Sequence, residues 1–546
     1  MNRQAVDDLR EQLRELGYLS RGLERWFALD PWSSRTFWSE LLAVALKAAT
    51  LIAPFAAAPL AAVTMLRNNP DTLQSALIFL LYLVAGFAVT LSLVIVTGLL
   101  LKSRAGMTID SPGSLLPISM APAALLLGVV VAWWSGFPAP PSRGEALLLL
   151  ALLFLLFSVA SIIFSAAFLA FSIHEVQRIP SLHQRSRIVP IAVAGTIVIG
   201  ALFYSLSGIR QPAEPASPAQ IVVEPTSVRL ALIAVDGLTK ELVQAREEFA
   251  NRLPHRAWGP SFAGHSAAER WASIGTGTGE QQHRVRSIEG VVLAGSNTPL
   301  QTISAHDWVL RWLAPHIELG ELVPLPPAVR RRDYVWEIFA SRGISSLSVN
   351  WWSTDDVVSS SFRSVGQRTI FSGFPGATTP PQELARLIDS KASSILDSHI
   401  ALVQPRFVTA YFPALDIVVN RLELDATERL TGSVRVLDQL AESVQSLSRS
   451  GYLVMVVGLP GEGQRGSFIV SSNFPLATEH ATPFDVAPTV ADLFGFPASE
   501  EMAGRSLLPG SRQNRIESFG PRNEPARQTR SNDQYYENLR SLGYIR

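Results

Sequence analysis

In the early part of the chain, apolar residues come in long unbroken runs, without the alternating or three-to-four spacing of soluble elements. The runs lie at about 39–66, 73–101, 115–136, 146–173 and 188–208. Each is long enough to cross the roughly 30 Å hydrocarbon core of a bilayer, and soluble core helices seldom need more than about 18 such residues. The first run starts too late and is too long for a cleaved signal peptide, and four more follow it. The pattern predicts an all-α bundle of five transmembrane helices over 39–208. A segment at 1–38 precedes it, read as amphipathic.

From about 228 the pattern changes to short β-rich runs alternating with amphipathic stretches. "VRLALIAV" (228–235), "ISSLSVNWW" (344–352), "RFVTAYFPALD" (406–416), "YLVMVV" (452–457) and "SFIVSS" (467–472) read as buried strands. "TKELVQAREEFANRL", "VWEIFASRG" (335–343) and "ERLTGSVRVLDQLAESVQSLSRSG" (428–451) read as helices. Strand–helix alternation implies a mostly parallel sheet covered on both faces, with ligands beyond the carboxyl ends of its strands. The fold class expected is therefore multi-domain: the five-helix bundle, then an α/β/α sandwich over 228–510. A Pro/Ala-rich linker at 209–227 joins them, and a polar tail with a short helix occupies 511–546. "LRELGYL" (13–19) and "LRSLGYI" (539–545) are a short echo, each a helix end closed by Gly17 or Gly543.

Charge sets the orientation. Arg3, Arg10, Arg14, Arg21, Arg25 and Arg35 precede the first run, Lys102 and Arg104 follow the second, and Arg178, Arg185 and Arg187 follow the fourth. The opposite connections hold only Arg67 and Arg143, with Arg210 just past the last run. Basic loops stay inside, so the N-terminus is expected to be cytoplasmic and the C-terminal half extracytoplasmic, in the inner or plasma membrane of a bacterium. Trp26, Trp32, Trp38, Trp133 and Trp134 suit the two interfacial belts. Lys47, the one formal charge well inside a run, reads as a snorkelling side chain or a contact to an anionic lipid headgroup. No Asp or Glu lies mid-run, which speaks against an ion-coupled transporter. Balanced charge (46 basic, 46 acidic) offers nothing to nucleic acid, and zero cysteines exclude disulfides and thiolate sites.

Several motifs occur in order: "LIAVDG" (232–237), "WASIGTG" (271–277) followed by His283, "VNWWST" (349–354), "YFPALD" (411–416), "MVVGLPG" (455–461) and "FDVAPTVADLFGFPASEEMAGRSL" (484–507). Together they resemble the type I phosphodiesterase/nucleotide pyrophosphatase branch of the alkaline phosphatase superfamily. Five membrane helices before such a domain resemble the phosphoethanolamine transferases and lipoteichoic acid synthases. The resemblance implies phosphoryl chemistry with two metal ions, zinc or manganese, flanking a Ser or Thr nucleophile; such a pair activates the nucleophile and steadies the transition state.

Carried over residue by residue, that machinery is incomplete. The first metal aspartate falls on Asp236. The nucleophile falls on Ala267, which has no hydroxyl, with Ser266 beside it. The Asp–His pair of the second site falls on Asp416 and Asn420. The "DHG" of the family falls on Leu459, Pro460 and Gly461. No histidine precedes "SFIVSS". Each site keeps one carboxylate, Asp236 or Asp416, and one ligand does not hold zinc.

Other readings of the same residues stay open. Asp236-Gly237 is also a good helix cap, and Asp416 a turn residue. His265 and Ser266 lack a third orienting group. Trp351 and Trp352 could place one ring in the core and one near the cleft. The "GLPGEGQR" loop (458–465) is not a P-loop, because no Lys and Ser/Thr follow. The expectation is a catalytically inactive domain without cofactor, serving as a binding or scaffolding subunit. Its partners would be the lipid bilayer, other membrane or envelope proteins, and an anionic lipid or glycan. The rival is an active metal-dependent phosphodiesterase or phosphoryl-group transferase with a rearranged site.

Overall fold

The computed structural model describes residues 12, 27, 37–103, 115–137, 143–176, 221–245, 251–262, 265–374, 379–461, 464, 466–511, 514–522 and 534–545. The chain divides into two compact units, Met1–Arg210 with Val292–Glu321, and Gln211–Val291 with Leu322–Arg546.

In the first unit, four of the five apolar runs are helices: α1 (Phe37–Asn68), α2 (Thr72–Ser103), α3 (Leu115–Ser135) and α4 (Arg143–Val176). Among the described residues, three stretches are long and apolar enough to cross a membrane: Leu41–Asn68, Thr72–Leu100 and Arg143–Phe168. Met120–Ser135 is a shorter apolar helix. The fifth run, 188–208, lies outside the described residues, as does the whole of the "LRELGYL" copy at 13–19. The three-residue link between α1 and α2 makes them antiparallel neighbours. Small residues let their backbones approach: a Cβ on Gly86 would lie 3.2 Å from Ala56 Cβ and 3.3 Å from Ala53 O.

The segment Val292–Glu321 belongs to this unit although it interrupts the α/β half. It is pinned to one end of the helices by polar contacts. Asn68 Nδ2 donates to Thr302 O at 2.9 Å, and Asn68 Oδ1 accepts from the Gln301 and Thr302 amides at 2.6 and 2.9 Å. Gln74 donates to Thr298 O at 2.7 Å. The Tyr82 hydroxyl bonds Asp307, and the Ser304 hydroxyl bonds Trp133 O. At the same end, Arg67 pairs with Glu145 at 2.7 Å and lies over the Phe137 ring.

The second unit is built on an eight-stranded sheet. Its strands are β1 (Leu230–Asp236), β2 (His255–Pro260), β5 (Ser346–Val349), β6 (Val357–Val358), β7 (Phe362–Val365), β8 (Phe407–Phe412), β9 (Leu453–Leu459) and β10 (Ser467–Ser472). The order is β2-β10-β9-β1-β8-β5-β7-β6. A two-stranded sheet, β3 (Glu289–Leu293) and β4 (Gly320–Pro324), marks where the chain leaves for the first unit and returns. The five central strands of the large sheet are parallel, and antiparallel pairings close both edges. Every residue of β1 and β8 is buried, as expected of central strands covered on both faces. Helices α5 (Ala267–Thr276), α6 (Val335–Ser341), α7 (Pro381–Val403), α8 (Ala426–Arg449), α9 (Val486–Leu493) and α10 (Gln534–Ser541) accompany the sheet.

Candidate active-site cleft

The carboxyl ends of β1, β8 and β9 bring the family-matched positions together. Register sets Asp236, last in β1, against Leu459, last in β9. Gly237 (φ +83) lets the chain turn against Asp416, where a Cβ would lie 2.5 Å from the Asp416 nitrogen. Gly461 (φ +104) does the same on the other side, where a Cβ would collide with Asp416 and Asn420. Asn420 Nδ2 then donates to Asp416 Oδ1 at 2.7 Å and to Pro460 O at 3.2 Å. Asp236, Asp416, Asn420, Leu459 and Pro460 therefore share one neighbourhood.

The two carboxylates are fully buried, and each faces an arginine. Asp236 Oδ2 accepts from Trp271 Nε1 at 2.9 Å and from the Tyr411 hydroxyl at 2.8 Å. Asp236 Oδ1 stands 3.6 Å from Arg270 Nη2 and accepts no hydrogen bond. Arg270 is 1% exposed, and none of its three guanidinium nitrogens makes a hydrogen bond. Burial pushes the Asp236 carboxyl above its ordinary range, Arg270 pulls it back, and the Asp416 charge raises it further. Asp416 is held more tightly: Arg421 Nε donates to its Oδ2 at 2.6 Å.

Two metal ions do not fit this donor set. Beyond the aspartates, the atoms that meet them are hydrogen-bond donors: an indole, a phenol, an amide nitrogen and two guanidinium groups. A guanidinium is always charged and has no lone pair to give a cation. Among the described residues, no cluster of three His, Asp or Glu could hold a metal. Nearby histidines do not complete the donor set. His265 Nδ1 bonds Glu269 at 2.6 Å, which raises its pKa. His283 is buried; its Nδ1 accepts from the Val285 amide at 3.1 Å, so Nε2 carries the proton and donates to Ser273 Oγ at 2.9 Å. Burial and the nearby Arg330 and Arg286 charges lower its pKa to about 3. His480 is exposed beside Trp258.

Ser266 does not stand free as a nucleophile. It is the N-cap of α5: its Oγ accepts from the Glu269 amide at 3.2 Å and donates to Arg286 O at 3.0 Å. Ala267, first in that helix, is fully buried. Asp236 is not a helix cap either: its Oδ2 accepts from Trp271 and Tyr411, and its Oδ1 accepts no hydrogen bond. Trp351 and Trp352 are both buried. Trp351 packs edge-on against Trp271 and Trp336, and Trp352 against Tyr411 and Tyr544.

The chain's own C-terminal segment closes this neighbourhood. After α10, Gly543 takes the left-handed cap (φ +75) expected from "LRSLGYI", and Tyr544 and Ile545 turn inward and are buried. The Tyr544 hydroxyl lies 3.2 Å from that of Tyr411, and the Arg421 guanidinium lies 3.8 Å from the Tyr544 ring centroid. Arg421 Nη1 also donates to Gly543 O at 3.1 Å. Asn538, fully buried, donates to Phe371 O and Phe374 O. Sequence reasoning missed Arg270, Arg421, Trp271, Tyr411 and Tyr544. The available signals were an arginine one turn beyond Ala267, an arginine directly after Asn420, and the repeated "LGY".

No family model and no curated protein matches the chain. Among solved structures it is similar to a Bacteroides thetaiotaomicron protein assigned as a sulfatase, with 12% identity and a TM-score of 0.36 over 54% of this chain and 76% of that one. Phosphonoacetate hydrolase from Sinorhizobium meliloti follows, at 12% identity and TM-score 0.30 over 45% of this chain and 59% of that one. Murine ectonucleotide pyrophosphatase/phosphodiesterase 5 gives 10% and 0.29 over 42% and 56%. The chain thus spans less than two thirds of the last two. All three are members of the alkaline phosphatase superfamily. Likeness at this level says nothing about chemistry, which the residues above must carry.

Proposed function

We propose that this is a membrane-anchored, non-catalytic relative of the type I phosphodiesterases. Its α/β unit would serve as an extracytoplasmic binding or scaffolding module for other membrane or envelope proteins, or for an anionic lipid or glycan. The observation that carries the reading is the pair of arginines, Arg270 buried and Arg421 half-buried, beside the two retained carboxylates. Positive charge that the family takes from metal ions comes here from the chain itself. A fixed cation cannot exchange its ligands, so it offers no open coordination position for a substrate.

Chain direction supports the topology. The α1–α2 and α3–α4 connections lie at the end of the bundle on which Val292–Glu321 is pinned, so Val176 ends at the opposite side. The return to Val292 on this reading would use the apolar sequence run 188–208, which lies outside the described residues and is long enough for a crossing. We therefore propose five spans, with the basic N-terminal segment cytoplasmic.

The test is turnover. Full-length protein in detergent, supplied with zinc or manganese and bis(4-nitrophenyl) phosphate, should hydrolyse no more than a protein-free blank. Turnover that disappears in Asp236→Asn would overturn the reading and establish the rearranged phosphodiesterase or transferase instead.

A further inference from the structure

We infer that the segment around Trp308–Ile317 is an interfacial membrane anchor, a surface built to lie among lipid headgroups and outer acyl chains. Val309–Leu313 forms one wide π-type turn continued by Ala314–His316. It is apolar on two opposite faces. Val309, Leu310 and Ala314 are buried against the first unit, while Trp308 (42% exposed), Trp312 (55%) and Ile317 (48%) point away from it. Trp308 and Trp312 are four residues apart, so both rings share the outer face, with His316 tilted over Trp312. The segment's polar side chains are Arg311, half-buried, and His316, exposed; two opposite apolar faces are stable when both are covered. The inner side is covered by the protein; the outer side has large indoles, the side chains that favour a membrane interface.

Depth favours lipid as the occupant. Tyr82 lies ten residues into α2, about 15 Å along its axis from Thr72. Asp307 reaches it and also caps the turn by accepting from the Val309 and Leu310 amides at 3.1 and 2.9 Å. The Tyr82 hydroxyl also lies 3.1 Å from Thr64 Oγ1, one turn before the end of α1, and Ser304 and His306 contact Trp133 O and Ala132 O near the end of α3, so Trp308, next to Asp307, is held at the level of the last helical turns. The lipid-facing surface of the helices continues to this level, where Leu66, Leu73, Val131 and Leu147 are exposed. The inference rests on the helices spanning a bilayer, and the experiment separates the two claims.

The chain has no cysteine, so single-cysteine variants report one site each. Nitroxide labels at Trp308→Cys and Trp312→Cys, in the full chain in phosphatidylethanolamine/phosphatidylglycerol nanodiscs, would be compared with Phe154→Cys on α4 and Val358→Cys on the sheet. Phe154 and Val358 are each 75% exposed. The expected ratio of oxygen to nickel-chelate accessibility at 308 and 312 is several-fold above that at 358, approaching that at 154. Ratios equal to that at 358 would overturn the anchor while leaving the spans intact. Exclusion of both relaxants with an immobilised spectrum would also overturn it, showing a protein partner or second copy there. A chelate-accessible Phe154 would overturn the spanning reading and the anchor with it. Should cysteine perturb the turn, brominated lipids provide the second measurement: quenching of native fluorescence should fall in the W308F/W312F double variant, and unchanged quenching would contradict the proposal.

Discussion

Asp236 and Asp416 sit at neighbouring strand ends, both fully buried and both facing arginine, yet they are held in different ways. Asp416 takes close hydrogen bonds from Arg421 and Asn420, and Arg421 extends the contact to Gly543 and Tyr544. Asp236 takes its hydrogen bonds from neutral groups, Trp271 and Tyr411, while Arg270 stands 3.6 Å away with none. The first pair fastens the C-terminal segment to the cleft. The second places an unbonded cation in the core, held there by charge alone. The two carboxylates thus have different uses: one serves as a tether, and the other is merely neutralised.

The asymmetry should appear most strongly at Asp236. Asp236→Ala leaves Arg270 buried without its counter-charge, and a guanidinium cannot shed its proton; the cost should be about 3–5 kcal/mol. Arg270→Met should cost clearly less, because the stranded carboxyl can take up a proton. Its folded pKa is already raised, chiefly by burial, and removing Arg270 raises it more. Stability of Arg270→Met should therefore fall as pH rises through that value, opposite to an ordinary surface aspartate. Thermal unfolding of the full chain at pH 5 and pH 8 checks both. Equal losses for the two variants at both pH values would sink the comparison.

Arg421→Ala should cost about 1.5–3 kcal/mol, the range for hydrogen bonds to charged groups. Unlike Arg270→Met, it should also release the tail: amide exchange in 534–545 should quicken in the first variant and stay slow in the second. Identical exchange would show that the tail is held by α10 packing alone.

A smaller and sharper effect concerns His283. Its pKa is lowered to about 3, so between that value and its unfolded pKa of about 6.5 the unfolded chain binds the extra proton. Stability is then fully present above pH 6.5 and declines as pH falls, by about 2 kcal/mol between pH 6.5 and 5. His283→Gln, which can still donate to Ser273, should flatten that part of the profile. An unchanged slope would assign it to other groups.

The sheet was largely legible in the sequence, because its central strands are buried on both faces and read as unbroken β-branched runs. "SFIVSS" coincides with β10 at 467–472, and "YLVMVV" falls on β9 with a one-residue offset at its start. The long helices were legible for the same reason of contiguity. The convergence of Asp236, Asp416, Asn420, Leu459 and Pro460 was expected from motif order. What joins them was not: Arg270 and Arg421 look like surface arginines until tertiary contacts bury them. The second tryptophan of the 351–352 pair is likewise covered by a tyrosine nearly two hundred residues downstream. The attachment of 292–321 to the helical unit was hidden because polar caps at Asn68, Gln74 and Tyr82 fasten it, and these leave no periodic signal.

The central claim is that two arginines have taken the place of two metal ions. Metal content answers it most directly. Full-length protein purified from zinc- and manganese-supplemented cultures, dialysed against a micromolar excess of each ion, should carry neither above the buffer blank. Two tightly held ions per chain, lost in Asp236→Asn and Asp416→Asn, would contradict it.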